Sequence, residues 1–127
     1  MTNIRMMLAA ILAMFLLSAC NNINIATLLQ PNKNLADGIK SYEEGNYQTA
    51  QALLQKAQNP AESSKGDQVT AHKYLAFINC ISGREDQCRS EFRKALTIDP
   101  SFDLKPAEAG HPIWGPVFRG EKAKFAR

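Results

Sequence analysis

The chain has 127 residues, 45% of them apolar, with 15 Lys+Arg against 12 Asp+Glu. That length suits one small globular domain and excludes two sizeable ones, while the apolar fraction argues against a wholly disordered chain. A formal net charge of +3, one unit of it from Arg5 near the start, is too small to point to nucleic acid, and the length excludes a multi-span membrane protein.

The first twenty residues are MTNIRMMLAAILAMFLLSAC. Arg5 forms a basic start, and residues 6–19 are an almost unbroken apolar run. This is short for a bilayer-spanning helix and right for the core of a signal peptide. The run closes on Leu17-Ser18-Ala19-Cys20, which resembles the bacterial lipobox. The resemblance implies cleavage after residue 19 and a covalent lipid on the Cys20 sulfur. An anchor of several acyl chains, each buried CH₂ contributing about 0.8 kcal/mol, holds a protein stably on a membrane. Asn21, rather than Asp, follows the cysteine. By resemblance to bacterial lipoprotein sorting, this implies the periplasmic face of the outer membrane rather than the inner membrane. Residues 20–33 read as a tether and residues 34–127 as the folded domain.

With Cys20 assigned to lipid, Cys80 and Cys88 remain. An even remainder in an oxidising compartment points to a disulfide. Free buried thiols and a metal site are the alternatives; the metal reading lacks two further ligands at suitable spacing, His72 and His111 being the only histidines.

Along the chain, Asn34 is a candidate N-cap with Asp37 in the first turn, predicting helix 1 over residues 35–44. Gly45-Asn46 breaks it. Helix 2 is predicted over 47–58, where Tyr47, Ala50, Leu53, Leu54 and Ala57 form one stripe. Residues 59–68 (NPAESSKGDQ) read as a loop. Helix 3, over 69–81, is apolar on nearly every side, as expected of a helix with neighbours around it. Ser82-Gly83 breaks it. Helix 4, over 85–98, carries Glu85 and Asp86 at its positive end and a stripe of Cys88, Phe92, Ala95 and Leu96. Asp99-Pro100 stops it. No strand-like alternation of useful length is present. Cys80 and Cys88 lie four residues either side of Arg84, so an antiparallel hairpin would bring them opposite each other, closing a loop worth roughly 2–3 kcal/mol.

The chain repeats itself at an offset of 38. Gly45 aligns with Gly83, Gly38 with Ala76, Ala50 with Cys88, Leu54 with Phe92, and Ala57 with Ala95. This pattern resembles the tetratricopeptide repeat. In the second copy, Leu75, Ala76, Gly83, Cys88, Phe92, Ala95 and Pro100 fall on the family's signature positions; His72 and Asn79 replace residues that are usually aromatic. In the first copy, Gly38, Gly45, Tyr47, Ala50, Leu54 and Ala57 match, and Asp37 stands where leucine is common. The expected fold is all-α: two helical hairpins, over about 34–60 and 69–100, stacked as a short solenoid.

Two repeats need added core. The tail over 101–127, with Trp114, Val117 and Phe118, is expected to cap the exposed end of helix 4, with a short helix over 116–126 begun by Pro116. Trp114 is alternatively a partner-binding residue. The run from Phe102-Asp103-Leu104 through Pro106-Ala107-Glu108 to the stretch HPIWGPVF, together with the paired cysteines of INCISGREDQCR, resembles small tetratricopeptide lipoproteins encoded with type VI secretion systems.

No residues are spaced for catalysis. The serines lack a nucleophile-elbow context, His72 and His111 read as structural, and the pairs Glu43-Glu44 and Glu85-Asp86 sit at helix ends. No cofactor or metal is expected beyond the lipid on Cys20. Binding is the expected activity. By family register, Leu35, Ile39 and Tyr42 from helix 1, with Lys73 and Phe77 from helix 3, would face a shallow groove, unless Ile39 and Phe77 are ordinary core. The expected partner is an envelope protein, a secretion-system component by resemblance. The alternative is a factor for cell-wall or outer-membrane biogenesis, either an enzyme regulator or a pilotin-like chaperone.

Overall fold

A computed structural model describes residues 32–126. The expected signal peptide, the lipid-bearing Cys20 and the tether up to residue 31 lie outside the described residues. Within them the protein is all-helical and without strands. The elements are α1 (Lys33–Glu43), α2 (Tyr47–Ala57), α3 (Lys65–Ile81), α4 (Glu85–Ile98), α5 (Pro106–Ala109) and α6 (Trp114–Phe125). The hairpins α1–α2 and α3–α4 hold the closest packing. Both α1 and α2 then lie on α3, while α6 lies on α4 and α3. No helix here is long and apolar enough to cross a membrane.

The two hairpins turn in the same way. After α1, Gly45 takes φ 77°; its N–H donates to the Tyr42 carbonyl, and the Asn46 N–H donates to the Ser41 carbonyl. After α3, Gly83 takes φ 74°, with bonds to the Cys80 and Asn79 carbonyls at the same offsets. This paired arrangement satisfies carbonyls that a helix end leaves orphaned, and its left-handed residue favours glycine. The repeat also holds in the packing. Ala50, Leu54 and Ala57 of α2, like Cys88, Phe92 and Ala95 of α4, show no exposed surface. Gly38 and Ala76 are both buried where α1 and α3 meet a neighbour. A Cβ on Gly38 would stand 2.9 Å from Leu54 Cγ, so the small residue sets the closeness of that crossing.

Four boundaries differ from the sequence expectation. First, Asn32 rather than Asn34 caps α1. Its Oδ1 accepts from the Leu35 N–H at 3.1 Å, and its Nδ2 donates to the Glu62 carbonyl at 3.4 Å, so the cap is also tied to the loop before α3. Second, α3 begins four residues early. Ser64 Oγ accepts from the Asp67 N–H and Asp67 sits in the first turn, an N-terminal signal strong enough to absorb Gly66. Third, residues 106–109 make a turn of helix, with Pro106 in the first helical position. Fourth, the last helix starts at Trp114, two residues before Pro116, which therefore sits within the first turn, where it removes no helical hydrogen bond.

The core divides into two clusters. One gathers Leu35, Ala50, Leu54, Ala57, Ala71, Leu75 and Ile78 between the hairpins. The other joins α3 and α4 to the tail through Phe77, Phe92, Leu96, Leu104, Trp114 and Phe118. Tyr42 and Tyr74 pack against both. Cys80 and Cys88 are bonded in the second cluster, with their Cα atoms 5.1 Å apart.

The tail docks by a helical stripe. Trp114, Val117, Phe118 and Glu121 of α6 are buried at i, i+3, i+4, i+7 spacing. Phe118 meets Phe92 edge-on at 5.2 Å and Phe102 at 5.6 Å. Glu121 ends the stripe as a fully buried carboxylate, 3.2 Å from Arg93 Nε of α4 and 2.7 Å from Lys124 Nζ. Burial works against its charge, but the hydrogen bonds from Lys124 and Arg93 outweigh it and hold the carboxyl below its ordinary range. Lys122 Nζ closes the dock by donating to the Pro100 and Phe102 carbonyls.

Candidate functional site

The residues expected to line a groove lie together where α1, α3 and the tail meet, though not as an open groove. Helical spacing on α3 sets Lys73, Tyr74 and Phe77 on this side, and α1 brings Ile39 and Tyr42 against them. Phe77 is 2% exposed and Lys73 8% exposed. The cause is the chain's own tail. Trp114 stacks on Phe77, with centroids 4.2 Å apart and planes 21° from parallel, and His111 stacks on the indole at 3.3 Å. Glu108 reaches Lys73 Nζ at 2.7 Å with one oxygen, and accepts from the Lys105 N–H at 3.0 Å with the other. Trp114 Nε1 donates to the Glu108 carbonyl at 2.8 Å. Lys73 and Phe77 are therefore the floor beneath an intramolecular cover, which corrects the expectation that they face a partner.

Trp114 is buried in that cover, at 8% exposure. Of the expected binding residues, Ile39 and Tyr42 keep exposed surface. Ile39 packs at the edge of the inter-hairpin cluster. Tyr42 is the hub of an aromatic group: its ring lies 5.1 Å from Tyr74 edge-on, 5.7 Å from Tyr47 and 6.3 Å from Phe77. Tyr47 is 40% exposed. Lys73 Nζ sits 4.7 Å above the Tyr74 ring, so the ammonium is held by a carboxylate on one side and a π-face on the other.

Burial and nearby negative groups raise the pKa of two of these phenols, Tyr42 and Tyr74. Burial, then the neighbouring phenols Tyr47 and Tyr74, then the Glu108 carboxylate push the Tyr42 hydroxyl up to about 12. Tyr74 is pushed up by burial and by the carboxylates of Glu108 and Glu43. A phenol is protonated at neutral pH, so the hydroxyls of this face can donate hydrogen bonds. The face can bury apolar area while pairing a partner's polar groups.

Tyr47, Tyr74 and Glu108 complete this face and were not among the residues singled out for it. Tyr74 had a signal in the sequence, being one residue from Lys73 and three from Phe77 on the same helix. Glu108 had none: it is 35 residues from Lys73, on a four-residue helix. His72 takes a structural position on the other side of α3. It is buried, with Nδ1 2.6 Å from Glu91 Oε2 of α4, while Glu91 Oε1 meets Lys94 at 2.7 Å. Burial opposes the Glu91 charge, but the hydrogen bonds from His72 and Lys94 prevail and its carboxyl lies below its ordinary range. Among the described residues no three His, Cys, Asp or Glu side chains gather as a metal site would require.

Comparison with protein-family models, curated proteins and solved structures finds no match for this chain.

Proposed function

We propose that the protein is a non-catalytic lipoprotein, anchored through Cys20 to the periplasmic face of the outer membrane, that binds another envelope protein in the service of a type VI secretion apparatus. In this reading its helices form two tetratricopeptide-like repeats with a C-terminal cap. Support for the repeats comes from the offset of 38. At that offset, glycine turns with the same hydrogen bonds and buried residues of matching role recur. The lipid anchor rests on the Leu17-Ser18-Ala19-Cys20 box, and the link to secretion on the resemblance of the cysteine hairpin and tail.

The single observation that carries the binding role is the tyrosine face. Tyr42, Tyr47 and Tyr74 form a connected aromatic group, half-open beside a tail that already covers Phe77 and Lys73. Amphipathic rings of this kind dominate the energetics of protein interfaces. Two arms test the proposal. Cys20→Ser should abolish palmitate labelling and leave the protein unprocessed or soluble; a variant found in the outer membrane at mature mass would refute lipidation. Pull-down from solubilised membranes should recover secretion-apparatus components with the wild-type protein and lose them with Tyr42→Ala. Recovery of cell-wall synthesis or outer-membrane assembly proteins instead would establish the biogenesis role.

A further inference from the structure

The rim of the tyrosine face carries a carboxylate in a costly place. Glu43 is the last residue of α1 and is exposed. It lies four residues after Ile39, so the two share one edge of the helix, beside Tyr42. Its charge reaches across the face, where it helps to push the Tyr74 hydroxyl up. A carboxylate at the C-terminal end of a helix meets the negative pole of the macrodipole, which disfavours it. The neighbouring Glu44 is offset by Lys40 at 3.9 Å. Glu43 has no such relief. Among the described residues the lysines of this region are paired with other acids, Lys33 with Asp37 and Lys73 with Glu108.

The same face already shows how it holds a cation. Lys73 Nζ lies 2.7 Å from Glu108 and 4.7 Å from the Tyr74 ring centroid, a carboxylate and a π-face acting together. That ammonium is covered by the tail and committed. Farther out, the same two ingredients recur toward solvent. Tyr42 and Tyr47 stand 5.7 Å apart with their planes tilted by 48°, and Glu43 adds the carboxylate. A cation gains from both the rings and the charge. A neutral side chain gains from the rings alone, and an anionic one is repelled by Glu43.

We infer, on the basis of the binding role proposed above, that this rim takes an arginine side chain of the protein partner, with its guanidinium on the exposed tyrosine rings and paired with Glu43. Arginine suits the rim better than lysine. Its planar group stacks on a ring while its N–H donors, lying in that plane, remain aimed at a carboxylate or a phenol oxygen, and it is more weakly hydrated than an ammonium. The unfavourable position of Glu43 in the free protein is then offset only in the complex.

The test uses the full-length protein, labelled with ¹³C in its tyrosine rings, in an uncharged detergent. The probe is acetyl-Gly-Arg-Gly amide at tens of millimolar and matched ionic strength. The ring signals of Tyr42, Tyr47 and Tyr74 should shift. The analogue with citrulline, which keeps the shape and loses the charge, should bind about fivefold or more weakly. Glu43→Gln should weaken the arginine probe about twofold to fivefold without lowering the melting temperature, since it removes a charge that the helix end disfavours. Unmoved tyrosine signals, or equal binding of the citrulline analogue, would overturn the inference. Pull-down from solubilised membranes separates it from the reading on which it rests. Glu43→Lys should lose the partners that Tyr42→Ala loses. Partners lost by Tyr42→Ala and kept in full by Glu43→Lys would overturn the arginine and leave the tyrosine face as the binding surface. Partners kept by both variants would overturn both.

Discussion

The two hairpins share a register but not a fate. At the offset of 38, Tyr42 corresponds to Cys80 and Ala50 to Cys88. The second hairpin is closed by a disulfide at the positions where the first carries a half-buried tyrosine and an alanine. The second is also covered on both sides, by α1 and α2 and by α6. The first meets α3 on one side, and the edge formed by Ile39, Tyr42 and Tyr47 is left partly open. The same repeat thus yields a stapled, buried unit and a less constrained one with an exposed face. What packs over a residue, as well as local sequence, decides whether it is core. Ile39 and Phe77 are equivalent at the offset of 38, yet Phe77 is 2% exposed because Trp114 covers it.

The comparison breaks most severely if the cover is removed. Deleting residues 110–127 strips Trp114, Val117 and Phe118 from the second hairpin. Since truncating one buried aromatic to alanine costs about 3–5 kcal/mol, the melting temperature should fall by well over ten degrees or the domain should fail to fold. An unchanged melting curve would mean that the tail is not part of the core. Next comes the staple. Cys80→Ala with Cys88→Ala should cost about 2–3 kcal/mol. Hydrogen exchange should accelerate first around the Gly83 turn and leave the Gly45 turn little changed. A comparable effect is expected from Gly115→Ala. The new Cβ would meet the Ala109 carbonyl oxygen at 2.5 Å, and crowding of this kind costs about 1–3 kcal/mol. Denaturant titration measures it.

Acid should act on the second hairpin and its tail before it acts on the first. Glu91 and Glu121 have an ordinary value of 4.5 and are held below it in the fold. A carboxyl with a lowered folded pKa contributes stability above its unfolded value, and that contribution is lost as pH falls through the folded value. The contribution of these two carboxyls should therefore be lost as pH falls below about 4.5. Glu91→Gln and Glu121→Gln should each reduce that loss, as followed by melting temperature against pH.

Much of the fold was legible in the sequence because it is written locally. The α4 stripe of Cys88, Phe92, Ala95 and Leu96 is buried as its periodicity indicates, and both glycine turns mark real helix ends. The start of α3 was misread because Gly66 and the serines beside it carry loop composition. The Ser64 cap and Asp67 nonetheless start a helix there. Pro116 was misplaced because a proline is acceptable anywhere in a first turn, so its position alone does not identify the first helical residue. The site was less legible. Which partner covers Lys73 and Phe77 depends on Glu108 and Trp114 arriving from 35 and 37 residues away, and no helical period encodes such contacts.

We propose that the open tyrosine edge of the first hairpin, and not the covered floor of the second, holds a protein partner. The direct measurement is quantitative pull-down of the full-length protein from solubilised membranes, with wild type, Tyr42→Ala and Cys20→Ser compared in parallel. Tyr42→Ala should weaken capture of secretion-apparatus components by about 1–2 kcal/mol or more, and Cys20→Ser should lose them by leaving the membrane. Equal recovery of the same partners by wild type and Tyr42→Ala would mean that the binding surface lies elsewhere.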